Sequence, residues 1–387
     1  MKVGRRRFFT GAACASVGLL ARPTRSLGGE ATRSPGGETT LSPGGETALS
    51  PGGETPTLGV LGRWETGNAT LSPLSAAQGV IHFTGDRSYG AIAPDRAAPL
   101  WVRDHALDGG AVFRPRIAGP LVIASGQHWM TAADRATGET VWTYRARTQT
   151  GVPLATPDLV CFGDGHEYVA LDAATGVERW RAAGVPDTLA SYAPAIAGDT
   201  VLACSGDGVL RAFRAQDGAA LWSVERRAAW QYLRQLHVDG DVLVAGSYTE
   251  KLFGLSVHDG AELWTFTAGN FINSHHVADG AAYLWSPTGW VYAVDAQTGA
   301  VRWRHRTTGY DGRAGDWASL MAELVTQGGR LYALAMDNIL HVLDAASGAE
   351  TAVAKVPDRI RHAVLPLPGA GVAFPTTRGS VLLTEPI

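Results

Sequence analysis

From about residue 58 onward the chain alternates short apolar runs with turns rich in Gly and Asp, and it does so by a repeated rule. In Tyr168-Val-Ala-Leu-Asp172-Ala-Ala-Thr-Gly176-Val-Glu-Arg-Trp180 an alternating apolar run leads into Asp-x-x-x-Gly, and a Trp follows four residues after the Gly. The arrangement recurs at Asp134…Gly138…Trp142, Gly218…Trp222, Gly260…Trp264 and Asp295…Gly299…Trp303. A degenerate copy keeps Trp101 without the Gly, and another keeps Asp344…Gly348 but has Ala352 where the Trp is due. From Trp101 to Ala352 the steps are 41, 38, 42, 42, 39 and 49 residues. A period of about forty residues in strand-forming sequence predicts propeller blades.

Each unit reads as four strands. In the unit ending at Trp222 these are Ala195–Ala197, Val201–Cys204, Val209–Phe213 and Ala219–Val224, separated by Gly and Asp residues that tolerate the positive φ of tight turns. A four-stranded sheet cannot bury both its faces alone, and stacking such sheets around an axis solves that problem. The two ends of the folded region complement one another. Gly379-Ser-Val381-Leu-Leu-Thr384 is a third-strand pattern with no Trp strand after it. Leu58-Gly-Val-Leu-Gly-Arg-Trp64 is a Trp strand with nothing before it, 37 residues ahead of Trp101. Letting both ends share one blade predicts an all-β, eight-bladed propeller of four-stranded antiparallel blades, closed by pairing of the N- and C-terminal strands. Seven blades are the alternative if those strands do not pair.

The copies around Gly176…Trp180 and Gly299…Trp303 resemble the tryptophan-docking repeat of PQQ-like propellers, a group holding quinoprotein dehydrogenases, BamB-type assembly lipoproteins and kinase sensor domains. The resemblance covers roughly residues 58–387. It implies that Trp64, Trp101, Trp142, Trp180, Trp222, Trp264 and Trp303 dock on the neighbouring blade. Each would bury about 150–250 Å², worth ~4–6 kcal/mol as an upper bound. These residues therefore read as blade glue rather than as a ligand cage.

Upstream of the repeat, Arg5-Arg6-Arg7-Phe8-Phe9-Thr10 resembles the twin-arginine export consensus, and the small apolar run Gly11–Ala21 is too short to span a bilayer. Residues 1–25 are thus expected to be a signal peptide. Residues 26–57 hold three Ser-Pro-Gly-Gly-Glu-Thr copies, a flexible spacer with nothing to bury. The propeller would occupy 58–387 and act extracytoplasmically, secreted or bound to the cell envelope, as a monomer with no transmembrane segment in the mature chain. A net charge of −3 gives no nucleic-acid footprint. Cys161 and Cys204 each stand two residues before a Gly-Asp-Gly turn. Read as equivalent positions of adjacent blades, they lie too far apart for a disulfide and are expected to be free and buried.

The loops joining one blade's last strand to the next blade's first strand carry most of the unusual polar residues. Arg114, Arg116, Trp230, Tyr232, Arg234, His275, Asp311, Arg313, Trp317 and Arg361 are the candidate ligand-binding set, lining a funnel face. Arg beside aromatic side chains favours carboxylates, phosphates or an acidic peptide. Neighbouring His275 and His276 point to opposite sides of a strand and cannot share one ion, so no metal site is expected there. A quinoprotein enzyme would need a vicinal Cys-Cys disulfide over PQQ and carboxylates for calcium. The chain has no Cys-Cys pair and no evident calcium set. Neither a Gly-x-Ser-x-Gly elbow nor a His-Glu-x-x-His pair is present. The expected function is a non-catalytic scaffold without cofactor that binds a protein, peptide or cell-envelope component; the alternative is a PQQ-dependent dehydrogenase with an atypical site.

Overall fold

A computed structural model describes residues 54–105, 110–184, 188–226, 233–247, 250–269, 274–286, 288–307, 324–335, 337–360 and 363–387. The expected signal peptide and the spacer up to residue 53 lie outside them, as do Trp230, Tyr232, Asp311, Arg313, Trp317 and Arg361. The described residues form eight four-stranded antiparallel sheets. Blade 1 opens with Ser75–Ala77, blades 2 to 7 follow in chain order, and blade 7 ends with Glu350–Lys355. Blade 8 combines Leu365–Leu367, Gly371–Pro375 and Ser380–Thr384 with an outer strand from the other end of the chain, Val60–Glu65. Trp64 lies opposite Val381 and Gly62 opposite Leu383. The ring is therefore closed as the orphan strands predict, and the edge of Ser380–Thr384 is covered.

The first strands of successive blades touch one another and so line the axis, while the Trp strands form the rim. Burial follows this radial order. In blade 3, Leu159–Asp164 is buried throughout, whereas in the outer strand Glu178–Ala183 only Trp180 is buried. The core lies in the joints between blades. Val160, Phe162, Val169 and Leu171 of blade 3, for example, pack on Ile123, Met130, Ala132 and Trp142 of blade 2.

The repeated Trp and Gly meet across these joints. Trp142 Nε1 donates to the Ala173 carbonyl of the next blade at 2.9 Å, and Trp180 donates to Ala215 at 2.8 Å. Trp64, Trp101, Trp264 and Trp303 make the equivalent bond to Arg96, Arg135, Ala296 and Ala345. Gly176 shows why the motif needs glycine. Its φ is +70°, and a Cβ there would stand 2.6 Å from the Trp142 ring. The turn thus gives the indole a flat backbone surface to lie on.

Two positions depart from the pattern. Trp222 is only partly buried and makes no such bond; the carbonyl due to receive it belongs to Val257, where blades 3, 4, 6 and 7 have alanine. In blade 7 the position of the Trp is held by Ala352, and it packs beside Leu58 in the joint with blade 8. The turn after the third strand of blade 8 is where the propeller's two ends meet. Leu58 fills that joint against Val342, Val356 and Phe374, held by Leu58 N to Lys355 O at 3.0 Å.

Cys161 and Cys204 are buried and free. They are not equivalent, contrary to the sequence expectation. Cys161 pairs with Ala170, the fourth residue of its third strand, but Cys204 pairs with Leu210, the second of its own. The turn after Cys204 is longer, which shifts the count. Each thiol faces a different joint, Cys161 packing with Val201 and Phe213 and Cys204 with Leu243 and Phe253.

Candidate functional site

The polar residues that can meet at the axis come from the first strands, not from the loops to which the sequence assigned them. Arg114 and Arg116 belong to the first strand of blade 2, Val112–Ala118. Arg234 starts that of blade 5, Arg234–Asp239, and His275 belongs to that of blade 6, Ser274–Ala278. Two of the first strands are bulged against their neighbours, between Phe113 and Arg116 and between Arg234 and Leu236. Those of blades 1, 4, 6 and 7 pair without a shift. A bulge re-aims side chains next to it. The two bulged strands are the ones that supply Arg114, Arg116 and His237.

These groups sense one another across the channel. The Arg116 guanidinium acts on His237 and the Arg114 guanidinium on His276, although blade 2 is separated from blades 5 and 6 along the ring. Burial, with His276 and Arg116 beside it, pushes His237 down to about 4. Burial and Arg114 lower His276 as well. Burial lowers both arginines, and Arg116 next to Arg114 helps bring Arg114 to about 10. All four shifts have burial as their largest cause, and the arginine charges add to it at Arg114, His237 and His276.

Inter-blade hydrogen bonds fix the wall. Ser75 Oγ donates to the Pro115 carbonyl at 2.6 Å, and Arg116 Nε donates to the Pro153 carbonyl at 2.9 Å. His276 Nε2 lies 2.9 Å from Thr326 Oγ1, and the His275 amide donates to Gln235 Oε1 at 3.3 Å. Among the described residues no carboxylate pairs with Arg116. The arrangement suits an anionic group entering along the axis, since bidentate Arg is the usual partner of carboxylate and phosphate.

Of the residues expected to bind ligand, Arg114 and Arg116 are thus brought together, and His276 joins them. His275 is buried with its ring 4.9 Å from that of His237, edge to face. His237 and Thr326 were not anticipated. Each sits in an otherwise ordinary strand pattern, and only the closed ring places it opposite the arginines. The alternation along Arg234–Asp239 was the available signal, but the bulge at Gln235 breaks it.

A family model described as outer membrane protein assembly factor BamB, built on PQQ-like repeats, matches residues 126–270 and 226–367. The chain belongs to this PQQ-like propeller family. BamB of Yersinia pestis is 28% identical over 130 residues, 31% of this chain and 33% of that protein. The serine/threonine-protein kinase AfsK of Streptomyces coelicolor is 30% identical over 170 residues, 42% of this chain and 20% of the kinase. The matches thus span a third or less of these two relatives. The crystal structure of BamB from Moraxella catarrhalis superposes with a TM-score of 0.62 at 17% identity, covering 85% of this chain and 98% of that one. That likeness establishes the shared PQQ-like fold. The family also holds quinone enzymes, but calcium-bound PQQ needs oxygen donors. Arg114, Arg116, His237 and His276 do not supply them, so these residues do not fit that pair.

Proposed function

We propose that the chain is an exported, non-catalytic PQQ-like propeller that acts as an interaction scaffold, receiving an acidic segment of a protein, peptide or cell-envelope partner at the axial channel. The observation that carries this reading is the cluster of Arg114, Arg116, His237 and His276, in which Arg116 meets only a carbonyl among the described residues. Arg114 and Arg116 stand close together in a poorly solvated channel, where their charges repel, and an entering carboxylate would offset that repulsion. Kinship with assembly factors and with a kinase supports a shared binding scaffold more than a shared reaction. The twin-arginine segment supports export, and the reading includes neither nucleic acid nor cofactor.

Capture of partners from a cell-envelope extract by the purified mature protein tests the proposal. Arg116→Gln combined with His276→Gln should reduce capture at least tenfold, and charge reversal at Arg234, Arg313 and Arg361 should weaken it further. Circular dichroism of each variant separates lost binding from lost fold. Undiminished capture by folded variants overturns the axial site. Saturable, calcium-dependent quenching of tryptophan fluorescence by PQQ would overturn the non-catalytic reading.

A further inference from the structure

The joint between blades 6 and 7 differs from the two joints before it. In those joints the residue two places after the docking Trp packs with an aromatic residue in the middle of the next blade's third strand. Val224 meets Phe253 between blades 4 and 5, and Phe266 meets Tyr292 between blades 5 and 6 with ring centroids 5.3 Å apart. Between blades 6 and 7 the same two positions hold His305 and His341. Their rings stand 6.0 Å apart at 61°, and both residues are buried. Glu350, in the outer strand of blade 7, reaches in from the rim. Its Oε1 lies 2.7 Å from His341 Nδ1 and 3.5 Å from His305 Nε2.

Two imidazoles in an aromatic slot ask for a reason. Both ring nitrogens of His305 and Nε2 of His341 are sealed from solvent with no hydrogen-bond partner. Leaving such groups unmet is costly, and an ion bound at His305 Nε2 would take up one of the three. The ligating atoms of the three residues all lie within 4.8 Å of one another. Tetrahedral zinc with bonds of about 2.0–2.2 Å needs its ligand atoms about 3.3 Å apart. The two measured distances to Glu350 Oε1 fall on either side of that value.

We propose that His305 Nε2, His341 Nδ1 and the Glu350 carboxylate form a structural site for a divalent transition metal, Zn²⁺ by its donor set, that staples blade 6 to blade 7. Two imidazoles and one carboxylate suit zinc, and Co²⁺ or Ni²⁺ as substitutes, rather than calcium or magnesium. Water or the second Glu350 oxygen completes the four ligands. The Glu350 side chain is 18% exposed, which gives the ion a route in from the rim. The site lies far out from the axial cluster and is independent of what that cluster binds.

The test is titration of the chelator-treated full-length protein with Zn²⁺ by calorimetry and with Co²⁺ by visible absorption. One Zn²⁺ per chain at micromolar affinity or tighter is expected, with the absorption of a four-coordinate cobalt centre and a melting temperature that rises with metal and returns with chelator. Glu350→Gln should weaken binding at least tenfold. The double substitution His305→Phe, His341→Tyr copies the joint between blades 5 and 6, so it should fold and bind no metal. The proposal is overturned if the unmodified protein takes up no Zn²⁺ at millimolar concentration. It is equally overturned if the Phe/Tyr variant binds zinc as tightly as the unmodified protein, which would place the ion elsewhere.

Discussion

Seven docking tryptophans in one chain are replicas of a single experiment, and the structure says that one of them should behave differently. Trp180 is 6% exposed and donates to the Ala215 carbonyl at 2.8 Å. Truncating a packed aromatic to Ala costs about 3–5 kcal/mol, and the lost hydrogen bond, with the acceptor left buried, adds ~1 kcal/mol. Trp222 is partly exposed and makes no such bond, so its truncation removes less buried area and orphans no carbonyl. Taken together, Trp180→Ala should cost about 2 kcal/mol more than Trp222→Ala, although each Trp stands four residues after a motif Gly. Guanidinium denaturation followed by far-ultraviolet circular dichroism measures the difference without relying on tryptophan emission. With a slope on the order of 5 kcal/mol/M for a chain of this size, the Trp180→Ala midpoint should lie about 0.4 M below that of Trp222→Ala. Equal midpoints at equal slope, or a lower midpoint for Trp222→Ala, would refute the idea that the carbonyl bond and ring burial set the strength of a joint.

The joint between blades 2 and 3 contains a second device. Arg181 reaches Asp164 at 3.4 Å, Glu167 and Glu178 at 2.9 Å and the Tyr144 hydroxyl at 3.0 Å, and the Asp164 side chain is fully enclosed. Arg181→Ala should destabilise by about 1.5–3 kcal/mol by removing one donor to that carboxylate, which still accepts from the Tyr144 hydroxyl at 2.7 Å and the Arg147 amide at 3.0 Å; a denaturation midpoint within error of wild type would contradict this. His82 is buried with neither ring nitrogen bonded, and burial, then Arg135, pushes it down to about 4. The unfolded chain takes up this proton near its ordinary value of 6.5, so between pH 6.5 and 4 the unfolded state holds more protons. Stability is therefore full above pH 6.5 and falls as the pH drops through that window, by ~3 kcal/mol for this one group. His82→Phe should flatten that part of the pH–stability curve, and an unchanged slope would remove His82 as the cause. Deleting the chain through Glu65 uncovers the edge of Ser380–Thr384 and should turn a single elution peak into larger species by light scattering; a monodisperse deletion variant would show that the closing strand is dispensable.

The blade count, the closure by Val60–Glu65 and the docking residues were legible in the sequence, for a local reason. A hairpin turn, an alternating strand and the Gly four residues before a Trp are all written within one unit of about forty residues, and repetition averages out the noise of any single copy. What the sequence left open concerns residues of different units that meet. Arg114 and Arg116 were assigned to loops but stand in a bulged strand, and His237 went unnoticed because the shift at Gln235 hides its face. Cys161 and Cys204 fell out of register through the length of one turn. His305, His341 and Glu350 lie in unremarkable stretches up to 45 residues apart. Periodicity determines which way a side chain points from its own sheet. Which partner it finds there is decided by the closed ring, because only closure fixes the angle and register between sheets that share no hydrogen-bonded ladder.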